Sequence, residues 1–386
     1  MTVPRIRLSG FYFVYFAALG VLIPYWPLFL QAAGLDAARI GAVMAILPAT
    51  KIISPSLWGW LADRRGQTLR LVRWASFLGW LTFSVLFIPG AGLAGVIIAM
   101  GLFSFCWNAT LPLFETVTLA CLDRQTHRYG GIRVWGSVGF ILAVWGLGEL
   151  LDGWMAMAEL PWVMAGLLVS QWLLTLTLRR PPEVAHVPAA ATSILGIVRR
   201  GEVIGFLMAA ALLQMAHGPY YSFYSLYLAQ SGYGDSTIGQ LWALGVVAEI
   251  GWFLLLPRIA RRVSLRALFL GSLALSAVRW PMMAFGVDHL SLLIAAQLLH
   301  AASFGAAHSA AIHIVHRNFR PPHHARGQAL YSGLCYGLGG AVGSLYSGWL
   351  WESWQPAGVF LFATALSLAA LLVAWPRVGK GASAGV

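Results

Sequence analysis

Five ionisable side chains lie within long apolar stretches of the sequence, where a charge is costly: Lys51, Glu115, Arg133, Glu249 and Arg279. Glu249 is the sharpest case, because the segment ALGVVAEIGWFLLL (residues 243–256) contains no other charged residue. A carboxyl group in such surroundings can hold a proton near neutral pH and release it when a cation comes close. Glu249 is therefore predicted to carry protons, with Arg279 as the modulating cation. A structural ion pair or a misassigned helix end is the alternative for each of the five.

Polar and aromatic side chains recur at helical spacing in two other stretches. Spacings of three, four and three residues place one set on a single helix face: Gln214, His217, Tyr221 and Tyr224. Asn108 and Glu115 are seven residues apart and would also share a face. Such faces fit a water-filled binding site, and a packing seam between helices is the alternative.

Three histidines follow one another in LLHAASFGAAHSAAIHIV: His300, His308 and His313. His300 and His308 differ by about 80° around a helix, so both could border one cavity. Histidine titrates near neutral pH and suits proton transfer, which adds His300 to the predicted proton-coupling residues. The spacings do not favour a metal site, because they miss i, i+4 and no acid accompanies them. Helix-packing hydrogen bonds are the alternative, and we predict neither a metal nor a cofactor.

The chain is too apolar to be a soluble protein. Of its 386 residues, 59% are hydrophobic and 10% are charged, whereas a soluble domain has roughly 25% charged residues. Apolar stretches of about 20 residues recur, each long enough to span a bilayer. We predict an all-α membrane protein with twelve transmembrane helices, over residues 8–30, 38–61, 69–89, 93–121, 132–152, 160–178, 203–229, 236–257, 264–286, 290–315, 325–351 and 354–375.

The basic residues lie almost entirely on one side of these predicted spans. Of 25 lysines and arginines, 22 precede span one, follow an even-numbered span or end the chain. The positive-inside rule makes this side cytoplasmic and places both termini there. The net charge of +12 is thus explained by topology, and nucleic-acid binding is not indicated. We expect a multi-pass protein of a bacterial inner (cytoplasmic) membrane.

The two halves of the sequence repeat. LFLQAAGLDAARIG (residues 28–41) and LYLAQSGYGDSTIG (residues 226–239) match at several positions with an offset of 198 residues. An even number of spans in each half makes the two repeats parallel. We predict a six-helix bundle over residues 1–178, a cytoplasmic linker over 179–202 and a second six-helix bundle over 203–386.

The segment GWLADRRG resembles the loop signature of the major facilitator superfamily. This resemblance implies conformational gating, through cytoplasmic contacts that latch the two halves, for Gly59, Asp63, Arg64 and Gly66. It also implies the fold of that superfamily, with one substrate site at the midplane between two parallel six-helix repeats.

Other segments resemble the phenylpropionate-transporter branch, which is related to lactose permease and other proton symporters of sugars and nucleosides. The matching segments are IRVWGSVGF (132–140), QMAH (214–217) with Tyr220-Tyr221, GVVAE (245–249), VRW (278–280), Leu299-His300 and Ser303-Phe304. In lactose permease a glutamate late in helix four pairs with an arginine early in helix five to bind sugar, and Glu115 and Arg133 resemble that pair. The sugar symporter also has a glutamate after a histidine on helix ten. Span ten lacks it here, and the acid stands on span eight as Glu249.

Together these features predict a secondary active transporter that imports a small aromatic carboxylate with protons by alternating access. Arg133 is the predicted anchor for the carboxylate, because a guanidinium group can grip a carboxylate through two hydrogen bonds. The other predicted substrate-binding residues are Glu115, Lys51, His217, Tyr221, Gln214 and Asn108. The expected partners are the substrate, protons and the lipid bilayer, with a monomer as the functional unit.

Three alternatives remain open from the sequence. A proton-coupled sugar or nucleoside symporter would have the same fold, and a drug-efflux antiporter is less favoured because the resemblance points to uptake systems. The third alternative is a membrane enzyme, which is not predicted because the sequence contains no nucleophile or metal constellation and no soluble output domain.

Overall fold

The computed structural model describes residues 4–88, 90, 92–179 and 193–379. These residues form sixteen α-helices, with short 3-10 and π-helical segments and no strand among them, so the all-helical prediction is confirmed. The helices are α1 (Arg5–Ala32), α2 (Ala37–Thr50), α3 (Ser54–Arg65), α4 (Thr68–Phe83), α5 (Gly92–Leu122), α6 (Tyr129–Gly153), α7 (Leu160–Thr177), α8 (Leu195–Val198), α9 (Gly201–Ala216), α10 (Gly218–Gln230), α11 (Asp235–Ile259), α12 (Leu265–Phe285), α13 (Leu290–His300), α14 (Ala306–Asn318), α15 (His324–Tyr331) and α16 (Gly340–Ala374).

Ten helical stretches of the described chain are long and apolar enough to cross a membrane, and the count of twelve stays a prediction. Two features favour twelve. Helix α4 has 16 apolar-rich residues and continues as a 3-10 turn, Ser84–Phe87. The stretch His324–Ala374 has 51 residues, or about 76 Å of helix, which is more than twice the hydrocarbon core. It contains Gln355 at φ 57° and ψ 161°, a non-helical conformation that fits a turn between two crossings.

Several of the predicted spans are interrupted helices. Span 38–61 consists of α2 and α3, which are separated by a turn at residues 51–53 with Pro48 and Pro55 close by. Span 203–229 consists of α9 and α10, which meet at His217 just before Pro219. Proline has no backbone N–H and clashes with the preceding turn, so it explains both breaks. In span 290–315, a π-helical segment, Ala301–Gly305, separates α13 from α14.

The sequence repeat is also a repeat of local structure. Helix α1 ends with a hydrogen bond of 3.1 Å from the Leu35 N–H to the Leu30 carbonyl, and α10 ends with the same bond from Tyr233 to Leu228. The glycine inside each turn has nearly the same left-handed conformation, with φ 87° at Gly34 and φ 86° at Gly232. Only glycine adopts this conformation without strain, which explains why both copies contain it.

The chain divides into two compact units, which consist of Met1–Asp36, Ile46–Val187 and Gly234–Gln240 (unit 1) and of Ala37–Ala45, Pro188–Tyr233 and Leu241–Val386 (unit 2). The predicted domain limits differ from this division at two short segments, Ala37–Ala45 and Gly234–Gln240. These domain limits stay a prediction. Most of the predicted linker, residues 180–192, lies outside the described residues.

Glycines set the closest helix contacts inside each unit. In unit 1, α6 packs on α1, and a Cβ atom on Gly139 would overlap the backbone of Phe13. In unit 2, a Cβ atom on Gly339 would lie 2.7 Å from the Ala211 carbonyl oxygen, and one on Gly218 would overlap Gly343. Small residues at these positions let the helix backbones approach closely, as is common inside membranes.

Candidate functional site

Glu249 and His300 form a largely buried pair in unit 2. Glu249 stands on α11 and His300 ends α13, and the Glu249 Oε1 atom lies 2.7 Å from the His300 Nε2 atom. The two side chains are 18% and 6% exposed, respectively. The other ring nitrogen of His300, Nδ1, is buried without a hydrogen-bond partner in the described chain. One proton can bridge this carboxyl–imidazole pair in either direction, because each group can donate or accept it.

The backbone next to His300 makes room for the carboxyl group. The π-helical segment Ala301–Gly305 follows His300 directly, and such segments occur frequently at functional sites. A Cβ atom on Gly305 would lie 3.2 Å from the Trp252 Cδ1 atom and 3.9 Å from the Glu249 Cγ atom. Glycine at this position therefore lets α11 lie against the segment.

Arg279 of α12 is fully buried, with 0% exposure. Its Nε–H donates to the Ala296 carbonyl at 2.8 Å, and its guanidinium carbon lies 4.3 Å from the Tyr220 ring centre and 4.8 Å from that of Trp280. Neither Nη atom has a hydrogen-bond partner in the part of the chain that the structure describes. The aromatic faces thus supply much of the stabilisation of this buried cation. Glu249 forms its ion pair with His300 and not with Arg279.

Two predicted substrate residues, His217 and Tyr221, lie in an aromatic cluster beside His300. The His217 ring centre is 5.9 Å from that of Tyr221 and 6.1 Å from that of His300. Phe304 completes the cluster, with ring centres 6.3 Å from Tyr221 and 5.2 Å from His300. Tyr221 and Phe304 are partly exposed. Gln214, from the same predicted stripe, is buried and packs against Gly339, as expected for a packing seam.

In unit 1 the structure brings together Glu115 and Arg133, with the Arg133 Nε atom 3.8 Å from the Glu115 Oε1 atom. The Tyr129 hydroxyl donates to the same carboxylate oxygen at 3.2 Å. The Arg133 guanidinium also lies over two rings, 4.2 Å from the centre of Phe16 and 5.3 Å from that of Tyr12. The side chains of Arg133 and Glu115 are 30% and 36% exposed, so this pair is only partly buried.

Asn108 and Lys51 lie near the break between α2 and α3. The Asn108 amide donates to the Leu47 carbonyl at 2.8 Å and to the Thr50 hydroxyl at 2.9 Å, and the residue is buried. These bonds tie α5 to the end of α2. Lys51 follows Thr50 in the turn and is partly exposed. Among the described residues, no ion pair joins Lys51 to another predicted site residue.

The predicted gating residues lie at the end of α3. Gly66 has φ 58° and its N–H donates to the Ala62 carbonyl at 2.9 Å, which ends the helix. The Arg64 guanidinium lies over the Trp60 ring at 4.4 Å. Asp63 and Arg64 are exposed, and Gly59 is partly buried.

Three residues that support the charged groups, Tyr220, Gln297 and Tyr129, were not among the site residues predicted from the sequence. The Tyr220 hydroxyl donates to the Gln297 Oε1 atom at 3.0 Å, while its ring faces Arg279. Tyr220 is three residues after His217 and Gln297 is three residues before His300, so the i, i+3 spacing could have identified both. Tyr129 is four residues before Arg133, so the i, i+4 spacing could likewise have indicated it. Among the described residues, no group of three or more His, Cys, Asp or Glu could hold a metal ion.

Comparison with known proteins gives a consistent set of relatives. A family model, that of the MFS_1 like family, matches residues 5–362. The "Probable 3-phenylpropionic acid transporter" of Escherichia coli (strain K12) is 30% identical over 370 residues, which cover 94% of this chain and 95% of that protein. The maltose permease of Geobacillus stearothermophilus is 28% identical over 368 residues, with 94% and 92% covered. The crystal structure of the nucleoside transporter NupG matches with a TM-score of 0.85 at 19% identity, covering 98% of this chain and 99% of that one. This last match shows a shared fold.

Proposed function

The chain belongs to the MFS_1-like family of major facilitator transporters, and from this membership we propose that it imports a small aromatic carboxylate together with protons. It is a multi-pass membrane transporter and not an enzyme, since the proteins it matches are transporters. Alternating access, in which two six-helix halves rock around one site, is the mechanism we propose for it.

The observation that carries the proton-coupling proposal is the contact between Glu249 and His300. A carboxyl group within a membrane helix is expensive and marks a pathway for ions or protons by default. In its protonated form, Glu249 donates to the His300 Nε2 atom, and in its ionised form it accepts from the same nitrogen. Arg279 favours the ionised form when the two side chains come closer, so a change in their distance couples helix movement to proton release.

We propose that Arg133 anchors the substrate carboxylate. Its guanidinium is partly exposed, and a fork of two N–H groups suits a carboxylate. Phe16 is partly exposed and offers a flat apolar face on which a phenyl ring can pack, whereas the ring of Tyr12 is buried beneath the guanidinium. Glu115 would orient the guanidinium. Lys51 would add a second cation. His217, Tyr221, Gln214 and Asn108 stay predicted substrate-binding residues.

We also propose a bacterial inner membrane as the location, with both termini cytoplasmic and a monomer as the functional unit. The arginine-rich connections on one side of the spans support this orientation.

External pH in lightly buffered, de-energised cells tests the proposal. Adding 3-phenylpropionate to cells that express the protein should make the medium more alkaline than in cells with an empty vector. If the pH traces of expressing cells and empty-vector cells are equal with 3-phenylpropionate, benzoate and cinnamate, proton-coupled import of aromatic carboxylates is contradicted.

A proton-coupled sugar or nucleoside symporter is the second candidate. The observation that favours it is the arrangement of Glu115, Arg133 and the Tyr129 hydroxyl, which offers acceptors and donors to substrate hydroxyl groups. The relatives named a maltose permease and a nucleoside transporter are consistent with it. In the same assay, alkalinisation with maltose or a nucleoside, but not with 3-phenylpropionate, would select this candidate.

A further inference from the structure

Three rings form a stacked column along one helix of unit 2. The ring centres of His300 and Phe304 are 5.2 Å apart, those of Phe304 and His308 are 6.2 Å apart, and both pairs are nearly parallel at 7°. The column runs from α13 through the π-helical segment into α14, which ends near Arg317. Arg317 belongs to the side of the predicted spans on which most lysines and arginines lie, called here the arginine-rich side. His308 is thus displaced from His300 toward that side.

Glu249 lies beside this column. It contacts His300 directly, and its Cγ atom would lie 3.9 Å from a Cβ atom on Gly305, three residues before His308. The Glu249 carboxyl group thus contacts His300, and His308 lies beyond that contact toward the arginine-rich side.

A tyrosine positions the second histidine. The His308 Nδ1 atom lies 2.7 Å from the hydroxyl oxygen of Tyr336, and the Tyr331 hydroxyl donates to that same oxygen at 3.4 Å. Tyr336 belongs to a second π-helical segment, Ser332–Gly339. When Nδ1 holds the hydrogen and donates it to Tyr336, the lone pair of His308 lies on Nε2, where the ring can take up a proton.

His308 is more exposed than His300. His300 is buried, whereas His308 is partly exposed. The other titratable or charged groups on the elements around it are Asp235, Glu249 and Arg258 of α11, Arg279 and Arg266 of α12, His313, His316 and Arg317 of α14, and His324, Arg326, Tyr331, Cys335 and Tyr336 of the following segments. Glu202 of α9 pairs with Arg317. Among them, Glu249 is the acid that stands beside the column.

We propose that His308, held by Tyr336, exchanges protons between Glu249 and water on the arginine-rich side of the membrane. The proton leaves the Glu249 carboxyl oxygen and binds the His308 Nε2 atom, which leaves a carboxylate and an imidazolium. The imidazolium then releases the proton to water and returns to the neutral form. The inference rests on the proposed function, because it names the route of the proton that Glu249 carries.

The test compares two kinds of flux in proteoliposomes that contain the purified full chain and 3-phenylpropionate. Exchange of preloaded substrate needs no net proton transfer, whereas net efflux does. His308→Gln keeps a polar partner for Tyr336 but cannot carry a proton. We expect it to keep exchange within about twofold of wild type and to slow net efflux roughly a hundredfold, the low end of what a positioned acid–base group contributes. The pH dependence of the remaining efflux should flatten.

His313→Gln is the matched control, since His313 lies on the same helix and its Nδ1 atom contacts the Ser309 carbonyl at 2.8 Å. This variant should behave as wild type. Tyr336→Phe leaves His308 in place without its hydroxyl partner, and it should slow net efflux less than His308→Gln does. Equal losses of exchange and net efflux in His308→Gln, or an unchanged pH profile of efflux, would overturn the proposal.

A second measurement needs no transported substrate. Infrared titration of the purified protein should show a carboxyl C=O band that Glu249→Gln removes. We expect the titration midpoint of this band to shift in His308→Gln and to stay in place in His313→Gln. An unshifted midpoint in His308→Gln would overturn the inference even if the protein couples protons. A wild-type protein that moves no protons with 3-phenylpropionate, maltose or nucleosides would instead overturn the proposed function.

Discussion

The guanidinium of Arg279 lies against the ring of Tyr220, with 4.3 Å between its central carbon and the ring centre, while both Nη atoms stay without a hydrogen-bond partner in the described chain. A buried cation held mainly by aromatic faces depends on its shape as well as its charge, because only a planar group can stack in this way. Its backbone bond to Ala296 fixes the plane of the group.

Arg279→Lys should therefore lower the stability of the protein although the charge is kept. We expect a loss of about 1 to 2 kcal/mol, the size of a desolvated cation–π contact. Thermal unfolding of the purified protein in detergent measures it. Arg64→Lys is the matched control, because Arg64 stacks on Trp60 at 4.4 Å but is exposed and should lose much less. Equal losses in the two variants would show that burial of the stacked guanidinium is not the cause.

Glu249→Gln should abolish uphill accumulation of substrate while preserving exchange of preloaded substrate. The amide keeps the size of the side chain and a contact to His300, but it carries no exchangeable carboxyl proton. Accumulation of labelled substrate in energised cells, followed beside counterflow exchange, checks this outcome. Glu149→Gln, at an exposed acid of α6, is the control. Accumulation against a gradient by Glu249→Gln would remove Glu249 from the proton pathway.

Arg133→Lys should weaken recognition of the substrate although the positive charge remains. Lysine lacks the planar fork and cannot stack on Phe16, so we expect the affinity to fall roughly tenfold, which is about 1.4 kcal/mol. The concentration dependence of counterflow exchange measures this change. Arg128→Lys, at the exposed residue just before α6, should leave the affinity unaltered. An unchanged affinity in Arg133→Lys would place the carboxylate elsewhere.

Gly139→Ala should destabilise unit 1. The new Cβ atom would overlap the backbone of Phe13 where α6 packs on α1, and overpacking of this kind costs about 1 to 3 kcal/mol. Gly146 lies on the same helix with no atom within 4 Å of its added Cβ, so Gly146→Ala should be neutral or stabilising by up to about 1 kcal/mol. Melting temperatures of the two variants should move in opposite directions or, at the least, differ clearly. Equal melting temperatures would contradict the close contact.

The sequence predicted the helical fold well, because hydropathy and the sidedness of arginines follow from the bilayer itself. It also identified Glu249 and His300 as unusual residues. It could not predict their contact, since the pairing depends on how α11 packs against a π-helical segment that no spacing indicates. The role of Gly305 is likewise visible only from the atoms that surround it.

The pair of Glu115 and Arg133 was indicated by its resemblance to the pair in sugar symporters, not by helical periodicity. The resemblance carried information about three-dimensional neighbours that helical periodicity lacks, since the two residues stand on different helices. Their aromatic support from Phe16 was not predictable in this way.

Tyr25 and Tyr220 hold matching places in the two repeats, within Pro24-Tyr25-Trp26 and Pro219-Tyr220-Tyr221. The Tyr25 hydroxyl donates to the Val144 carbonyl at 2.6 Å, a bond to main chain, whereas that of Tyr220 donates to a side chain next to a buried cation. The same position thus fastens helices together in the first repeat and holds an amide side chain beside Arg279 in the second, so a repeated architecture contains two different uses of one tyrosine.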